Sequence, residues 1–307
     1  MQADQGSPRE VSRKRVAFIG AGQMGGRSAR RVAEAGHELI ICDGSAAVRE
    51  AFAAEGAVIA NTPAECAAAD IVIIFVMTGA QAESVALGEN GLFSGIDPAS
   101  PPRVFIMSTI QPSLARKIAA RLVTKGVRTI ETAVTGGPVP AEQGRLTLLV
   151  GGDSADIDKA EPVLKLMGQT IIRCGELGAG LTAKILNNML CIATMYLMEE
   201  CYRLGVTQGM QPATVAAIVE KGTGQNFWTR NVNETIANWD ALSQDPEYFD
   251  RMVTACNKDW GFAVALADEV GMKLPFLEGM MSTVDSVDRH ALLSGWRGLI
   301  EGHAVST

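Results

Sequence analysis

A lysine and two asparagines lie inside an otherwise apolar stretch of the chain, the segment GAGLTAKILNNML at 178–190. In a helix, Lys184, Asn187 and Asn188 are three and four residues apart and therefore share one face. Burying an ammonium group without a partner costs free energy. An amine kept there is suited to proton transfer, whereas the structural alternative is a lysine whose stem follows the helix and whose charge reaches water. The residue types alone leave both interpretations open.

A glycine pattern, GxGxxG, follows the first apolar run of the chain. Glycines at these positions permit a tight turn and let a pyrophosphate approach the N–H groups at the start of a helix. The sequence contains no GxxxxGK[ST] loop for a nucleoside triphosphate. We therefore predict a dinucleotide-binding loop made of Gly20, Ala21, Gly22, Gln23, Met24 and Gly25.

An acidic residue, Asp43, ends the second apolar run, 18 residues after Gly25. A carboxylate at this place can bind the ribose hydroxyls of the adenosine and repel a 2′-phosphate. This predicts NAD as the cofactor. The nearby Arg49 can favour a 2′-phosphate instead, so NADP is kept as an alternative.

Short β-rich runs alternate with Ala-rich amphipathic segments from residue 15 to about residue 173. The runs are nearly continuous in apolar character, as is typical of strands covered by helices on both faces. The alternation predicts an α/β fold with a Rossmann-type, doubly wound sheet. The predicted strands are 16–19, 38–42, 71–76, 103–107, 128–131, 146–150 and 170–174.

The pattern changes after Gly175 to helical segments interrupted by glycines, and no further strand is predicted. We expect three regions. These are a flexible tail over 1–14, an NAD(P)-binding Rossmann domain over 15–177, and an all-α domain for substrate binding and oligomerisation over 178–307.

The composition narrows the class of protein. The formal net charge is −7 without a run of basic residues, which disfavours nucleic acid and acidic membrane surfaces as partners but allows a small anion. The longest apolar run, at 71–77, is too short to span a bilayer, and the polar segment 1–14 does not resemble a signal peptide. The six cysteines lack metal or disulfide spacing, which predicts reduced thiols, no metal site and a cytoplasmic location.

Hydride transfer at a carbon–oxygen bond needs an acid/base group at the oxygen. No tyrosine of the chain is followed four positions later by a lysine, so a Tyr–Lys pair of the YxxxK type is absent. The histidines, His37, His290 and His303, are expected at the surface. Lys184 is the remaining candidate.

Five motifs occur in order: IGAGQMGG at 19–26, STIQP at 108–112, ETAVTGGPVPAEQGRLTLLVGG at 131–152, GELGAGLTAKILNN at 175–188 and KDWGFAVALA at 258–267. They resemble motifs of the β-hydroxyacid dehydrogenases, the family that includes 3-hydroxyisobutyrate dehydrogenase, tartronate semialdehyde reductase and, more distantly, 6-phosphogluconate dehydrogenase. The resemblance extends from residue 15 to about residue 275. It implies hydride transfer between NAD(P) and a small anionic 3-hydroxy acid and its semialdehyde. Together with the apolar helix predicted at 181–204, it also implies a homodimer or homotetramer.

The resemblance assigns a role to Lys184. Lys184 matches the catalytic lysine, which in this family lies in a cleft between the domains, and Asn188 matches its substrate-orienting neighbour. A lysine in such a cleft is expected to have a lowered pKa, which suits it to take the hydroxyl proton and to return one in the reverse reaction.

Further positions match binding residues of the family. Two of them have structural alternatives, because Ser108 can cap a strand end and Lys258 can pair with Asp259. Residues that match the substrate carboxylate site are Ser108, Thr135, Gly136 and Gly137. Residues that match cofactor positions outside the glycine loop are Val76, Met77, Gln81, Thr109 and Lys258.

The chain departs from the family pattern near the substrate site. Thr135 replaces the usual serine, and Pro138, Pro140 and Arg145 stand where small residues or threonine are common. We therefore expect the anion site to be narrower, and the loop around it to be stiffer, than in other members of the family. Two other functions fit the same fold, an imine reductase, in which Asp or Tyr typically replaces the lysine, and a nucleotide-binding scaffold that has lost the lysine. The intact Lys184 argues against both.

Overall fold

A computed structural model describes residues 13–300 of the chain. Within this range it describes all side chains except those at 138, 238, 241–243, 248, 290, 296 and 298–300. Residues 1–12 of the predicted tail and the predicted surface residue His303 lie outside the described residues, as does the side chain of His290.

Strands fill the first part of the described chain and helices continue to its end. The strands are β1 (Arg15–Ile19), β2 (Glu38–Cys42), β3 (Val58–Ile59), β4 (Ile71–Ile74), β5 (Arg103–Ile106), β6 (Arg128–Thr135), β7 (Leu146–Gly151) and β8 (Gly168–Gly175). The helices are α1 (Gln23–Glu34), α2 (Ala46–Ala54), α3 (Gly79–Leu87), α4 (Leu92–Gly95), α5 (Pro112–Leu122), α6 (Pro138–Glu142), α7 (Ser154–Met167), α8 (Ala179–Thr207), α9 (Pro212–Lys221), α10 (Val232–Gln244), α11 (Pro246–Glu269), α12 (Pro275–Ser286) and α13 (Arg289–Ile300).

The strands form one sheet in the order β3-β2-β1-β4-β5-β6-β7-β8. Neighbouring strands are parallel except β6 and β7, which are antiparallel. The order runs outward in both directions from β1 and β4, so the predicted doubly wound α/β sheet is confirmed. Strand β3 was not predicted, because two apolar residues are too few to produce a pattern.

Helices cover both faces of the sheet, and the strands are apolar on both sides as a result. Along β1, Ala17 and Ile19 belong to one buried cluster, whereas Val16 and Phe18 belong to another. The residues of β4 alternate between the same two clusters. Successive side chains of a strand point to opposite faces, so the continuous apolar runs seen in the sequence indicate two cores, one on each side of the sheet.

The described chain divides into two compact units between Lys184 and Ile185, within α8. The second unit is helical and has its own core, in which Trp239, Trp260 and Phe249 are almost completely buried. The all-α second part predicted from the sequence is thus confirmed.

Helix α8 has 29 residues, and its length and composition would allow it to cross a bilayer. About a third of its most apolar window is buried inside the structure, and the helix also carries Lys184, Glu199 and Arg203. Glu199 is itself buried and lies 3.4 Å from the Arg203 guanidinium.

His37 is buried, and the expectation that it lies at the surface was therefore wrong. Its Nδ1 accepts a hydrogen bond from the Lys14 N–H group at 3.2 Å, where the chain enters the sheet. Burial, and to a smaller extent the charge of Lys14, lowers the pKa of His37. No local pattern around residue 37 predicts this burial.

Glu131 on β6 is a fully buried carboxylate beside the start of α8. Its Oε1 accepts hydrogen bonds from the N–H groups of Gly178, at 3.0 Å, and Gly180, at 2.7 Å. The first N–H groups of a helix have no partner within the helix, so this oxygen supplies one. Its Oε2 has no hydrogen-bond partner among the described residues. Glu131 thus ties the sheet to α8 through one oxygen.

Burial raises the pKa of Glu131 to about 7, although the hydrogen bonds from Gly180 and Gly178 lower it in part. This pKa lies above the ordinary value of 4.5, so the folded chain holds the proton more tightly than the unfolded chain does. The contribution of Glu131 to the free energy of unfolding is therefore fully present below pH 4.5 and is lost as the pH rises to about 7. A shift of this size corresponds to roughly 3 kcal/mol.

The variant Glu131→Gln should abolish this pH dependence, because glutamine keeps an acceptor oxygen and does not titrate. We expect its free energy of unfolding, relative to that of the parent chain, to rise by roughly 3 kcal/mol between pH 4.5 and 8. Urea denaturation followed by circular dichroism measures this difference. Glu176→Gln, at an exposed carboxylate before the same helix, is the control and should show a constant difference. A constant difference for Glu131→Gln as well would contradict the expectation.

Candidate active site

The glycine loop turns sharply between β1 and α1. Gly20 has φ of 94°, a left-handed conformation that glycine adopts without strain. A Cβ added to Gly20 would overlap with the carbonyl oxygen of Phe75, and one added to Gly25 would overlap with the carbonyl oxygen of Gly20. These two glycines are therefore required by the turn and by close packing of α1 on it.

Gly22 differs from Gly20 and Gly25 because the space beside it is open. An added Cβ would meet no atom within 4 Å, and its φ of −67° is accessible to any residue. Gly22 is the N-cap of α1, a helix of 12 residues. The absent side chain thus leaves room for a phosphate group next to the N–H groups of the helix, which fits a dinucleotide.

A groove of about 760 Å³ runs along this loop. It is lined on one side by the loop and by the end of β2, and on the other by the segment that follows β4. Nine of the twelve predicted cofactor positions line it, namely Gly20, Gly22, Gln23, Met24, Gly25, Asp43, Val76, Met77 and Gln81. Of the others, Ala21 is a buried residue of the loop, and Thr109 is half-buried after β5.

The carboxylate of Asp43 is held in place by two backbone groups. Its Oδ2 accepts a hydrogen bond from the Ala21 N–H group at 2.7 Å, and its Oδ1 accepts one from the Ser45 N–H group at 2.8 Å. Arg49 donates from Nη1 to the carbonyl oxygen of Asp43 at 2.6 Å. The end of β2 therefore presents a fixed negative charge to the groove, with a guanidinium beside it.

Two residues that are predicted to bind ligands, Ser108 and Gln81, make hydrogen bonds that stabilise one wall of the groove. Ser108 is fully buried, and its Oγ accepts a hydrogen bond from the Val76 N–H group at 2.8 Å and donates to the Ile74 carbonyl oxygen at 3.3 Å. The Gln81 Oε1 accepts hydrogen bonds from the N–H groups of Met77 and Thr78, both at 3.1 Å. Ser108 thus closes the end of β4, as the structural alternative predicted, while its contact with a substrate carboxylate stays a prediction.

The Gln81 contacts belong to a capping box at the start of α3, in which Thr78 Oγ1 accepts a hydrogen bond from the Gln81 N–H group. The capping box fixes the chain between β4 and α3. Met77, in this same segment, is 73% exposed, which is unusual for a methionine in a folded chain. An apolar side chain held at the groove in this way can pack against a flat ring of a ligand.

The predicted anion turn, Thr135-Gly136-Gly137, begins at the last residue of β6. Both glycines have positive φ, 131° and 84°, so the chain reverses there in a way that other residues rarely adopt. A Cβ added to Gly136 would lie 3.2 Å from the Cβ of Pro140, whereas the space at Gly137 is open. Pro140 therefore packs on the turn, which agrees with the predicted stiffening of this loop.

Lys184 and Asn188 are one turn apart on α8, and both are half-buried. The Asn188 Nδ2 donates a hydrogen bond to the Asp259 Oδ2 at 2.6 Å, and its Oδ1 accepts one from the Asn187 Nδ2 at 3.2 Å. Asn188 is therefore held in one orientation from two sides.

Lys258 lies at the other oxygen of Asp259, with its Nζ 3.3 Å from Oδ1, and 5.4 Å from the centre of the Phe262 ring. The lysine thus makes the Lys–Asp pair that was its structural alternative, and its contact with a cofactor stays a prediction. Asp259 joins Asn188 to Lys258, a role that the sequence analysis missed. The available signal was an acid adjacent to a predicted binding lysine, which was interpreted as a surface pair.

Comparison with known proteins identifies the family. Residues 15–175 match the model described as the NAD binding domain of 6-phosphogluconate dehydrogenase. Residues 178–294 match the model described as NAD-binding of NADP-dependent 3-hydroxyisobutyrate dehydrogenase.

Similar proteins support the same assignment. The chain is 34% identical over 265 residues to a probable mitochondrial 3-hydroxyisobutyrate dehydrogenase of Dictyostelium discoideum, covering 86% of this chain and 82% of that protein. It is 34% identical over 215 residues to an NAD-dependent L-serine dehydrogenase of Pseudomonas aeruginosa, covering 70% and 72%. A solved structure of Mycobacterium tuberculosis 3-hydroxyisobutyrate dehydrogenase with L-serine has a TM-score of 0.76 and 26% identity, covering 93% of this chain and 99% of that chain.

The chain belongs to the β-hydroxyacid dehydrogenase family. It is an NAD(P)-dependent oxidoreductase that acts on a CH–OH group, as predicted. An imine reductase from Myxococcus stipitatus in complex with NAD⁺ is also similar, with a TM-score of 0.61 and coverage of 92% and 95%, but at 18% identity this likeness shows the fold alone.

The open space at Gly22 gives a direct test of the loop. We expect Gly22→Ala to fold with at most a small loss of thermal stability, because the added methyl group meets no protein atom and alanine is only a poorer N-cap than glycine. We expect it to weaken NAD binding by about tenfold or more, because the methyl group fills the phosphate position. Calorimetric titration with NAD and thermal unfolding measure the two quantities. Gly279→Ala on α12, where an added Cβ also meets no atom within 4 Å, is the control and should bind NAD normally. Unchanged NAD affinity in Gly22→Ala would remove the loop from the cofactor site.

Proposed function

We propose that the chain transfers a hydride between NAD and a small 3-hydroxy acid, with Lys184 as the general acid and base. The observation that carries the proposal is the arrangement on α8, where Lys184 is one turn from an asparagine held by Asp259 and Asn187. The curated relatives add weight, because their names describe dehydrogenases of 3-hydroxyisobutyrate and L-serine. Both of these compounds carry a carboxylate and a hydroxyl group on the β-carbon.

In oxidation, neutral Lys184 accepts the proton of the substrate hydroxyl group while the hydride leaves the carbon that bears this hydroxyl group. In reduction, the Lys184 ammonium returns a proton to the carbonyl oxygen. Asn188 orients the substrate: an amide nitrogen has two N–H groups, and with one directed at Asp259 the second can donate to a substrate oxygen. Asp259 acts through Asn188 and keeps its amide from rotating.

For the cofactor, the loop at 20–25 is proposed to hold the pyrophosphate and Asp43 the adenosine ribose. When bound, NAD supplies the hydride acceptor. The fixed carboxylate of Asp43 supports NAD over NADP, since a 2′-phosphate beside it would be repelled. Further residues proposed at the cofactor are Val76, Met77, Gln81, Thr109 and Lys258.

For the substrate, the turn at Thr135, Gly136 and Gly137 is proposed to bind the carboxylate, together with Ser108. The turn has two consecutive residues of positive φ, a geometry that can expose N–H groups to an anion. The Thr135 methyl group and the packing of Pro140 on Gly136 narrow the proposed carboxylate site. We therefore propose substrates about as large as serine or 3-hydroxyisobutyrate.

We propose the division into a tail at 1–14, a cofactor domain at 15–177 and a substrate and oligomerisation domain at 178–307. The two family models, which cover 15–175 and 178–294, support this division. A cytoplasmic location is proposed because the six cysteines are free thiols.

The substitution Lys184→Ala tests the mechanism. We expect kcat to fall by about 10²–10⁴ because general acid and base catalysis is lost, with the NAD dissociation constant changed by less than roughly twofold. The measurement is NADH formation with a panel containing 3-hydroxyisobutyrate, L-serine and other small 3-hydroxy acids, alongside NADPH oxidation with cyclic imines. Lys221→Ala at the end of α9 is the control and should keep full activity.

Three results would reject the proposal. Activity of Lys184→Ala within about tenfold of the parent would remove the lysine from the chemistry. Turnover of imines but not of hydroxy acids would favour an imine reductase. A parent chain that binds NAD and turns over none of the panel would favour a binding scaffold.

We also propose that the chain assembles as a homodimer or homotetramer through α8. Four leucines of this helix, each more than half exposed, lie on one stripe because their positions repeat at nearly whole helical turns. They are Leu186, Leu190, Leu197 and Leu204. A stripe of this kind on a soluble protein marks a contact surface.

Introducing charge into the stripe should break the assembly. We expect the double variant Leu190→Glu/Leu197→Glu to elute as a monomer while the parent elutes as a dimer or tetramer, measured by size-exclusion chromatography with light scattering. Val270→Glu replaces another exposed apolar residue, after α11, and serves as the control that keeps the parent mass. A monomeric parent chain, or an unchanged mass in the double variant, would contradict the proposal.

A further inference from the structure

Two glycines lie against the carboxyl group of Glu131. Gly151, the residue opposite it on β7, and Gly180, in the first turn of α8, have no side chain. A Cβ added to Gly151 would overlap with the Glu131 Oε1, and one added to Gly180 would lie 2.8 Å from Oε2. Glu131 and Gly151 belong to one of the sequence motifs, at 131–152, and Gly180 belongs to another, at 175–188. Backbone atoms restrict the two glycines as well, because an added Cβ would also overlap with the Glu176 carbonyl oxygen at Gly151 and with the Leu149 carbonyl oxygen at Gly180.

The same carboxyl group lies on the side of α8 that carries the lysine. Gly180 and Lys184 are four residues apart and so lie above one another on one face. Side chains of a helix tilt toward its N-terminus, so the Lys184 stem runs back in the direction of Gly180. Oε2, the oxygen without a hydrogen-bond partner among the described residues, is the one next to Gly180.

We propose that Glu131 is a positioning residue for Lys184. It fixes the first turn of α8, and with it the place of the amine, and its charge sets how readily the amine gives up a proton. The proposal rests on Lys184 being the acid/base group of the proposed function. Glu131 acts through Lys184 and the helix, and it touches neither substrate nor cofactor.

Electrostatics determines the direction of the effect. An ionised Glu131 favours the protonated form of a nearby amine, and a neutral one does not. Since burial raises its pKa to about 7, Glu131 changes charge within the working range of an enzyme. The other titratable or charged groups that the structure places nearby are Cys174 on β8 and the Arg116 guanidinium of α5, which lies next to Gly178. Burial, and then the charge of Glu131, raises the pKa of Cys174.

The first experiment follows catalysis in Glu131→Gln, which retains an acceptor oxygen for α8 and has no charge. We expect the pH profile of kcat for hydroxy-acid oxidation to move to lower pH, because the uncharged neighbour lets Lys184 lose its proton more easily. The KM for NAD should stay unchanged. Glu176→Gln, which removes an exposed carboxylate before the same helix, is the matched control and should keep the parent profile. A lower kcat with an unmoved profile would indicate a structural role only and would overturn the proposal.

The second experiment needs no turnover and therefore separates this proposal from the proposed function. Competitive acetylation of lysines at a series of pH values, read by mass spectrometry, reports the proton affinity of Lys184 directly. We expect Lys184 in Glu131→Gln to react severalfold faster near pH 8 than in the parent, and Lys221 to react equally in both. Equal Lys184 reactivity in both proteins would overturn the coupling, even if the parent oxidises hydroxy acids.

The parent chain supplies a further measurement if Glu131→Gln does not fold. The acetylation curve of Lys184 should then contain two steps, the lower one near pH 7 where Glu131 ionises, while the Lys221 curve contains one. A single step for Lys184 would overturn the proposal. An inert parent chain with a two-step Lys184 curve would reject the hydroxy-acid activity and support the coupling.

Discussion

The buried carboxyl group of Glu131, beside the first turn of α8, joins the sheet to that helix. Glu131 accepts the N–H groups of Gly178 and Gly180, which a helix leaves without partners at its beginning. On β6, Glu131 lies four residues before Thr135, where the proposed carboxylate-binding turn begins. On α8, Gly180 lies four residues before Lys184. The hydrogen bonds of Glu131 therefore connect the strand that leads to the proposed substrate turn with the helix that carries the proposed acid/base group.

In the glycine loop between β1 and α1, missing side chains also determine what can approach the backbone. At Gly20 and Gly25 the missing side chains allow backbone atoms to approach one another, whereas at Gly22 the missing side chain leaves space for a ligand. The pattern GxGxxG does not distinguish these roles. Only the positions of Phe75 and of the loop carbonyl groups do so, and they depend on strands that are far apart in the sequence.

Much of the fold could be predicted from local patterns. Continuous apolar runs between amphipathic segments predicted seven of the strands, because a sheet covered on both faces needs such runs. The loop, Asp43 and the lysine of α8 were predicted from residue type and spacing together with a family resemblance. Strand β3 was missed because Val58 and Ile59 are too few to form a pattern. The burial of His37 was missed because the contact shown for it, with the Lys14 N–H group, joins positions 23 residues apart.

The residues that support the site were harder to predict, because each depends on a contact between distant positions. Asp259 was considered only as the partner of Lys258, and its hydrogen bond to Asn188 spans 71 residues. Ser108 and Gln81 were predicted as ligand contacts, and the structure places both in hydrogen bonds that hold the end of β4 and the start of α3. Glu131 was predicted only as the last residue of the strand at 128–131.

The shared space of Glu131, Gly151 and Gly180 restricts how this chain can diverge. A methyl group at 151 would overlap with Glu131 and with the Glu176 carbonyl oxygen, and one at 180 would overlap with Glu131 and with the Leu149 carbonyl oxygen. A shorter residue at 131 would leave the first N–H groups of α8 without their acceptor, and the backbone would still exclude a side chain at 151 and 180. An exchange at any one of the three positions is therefore expected to be tolerated poorly during evolution.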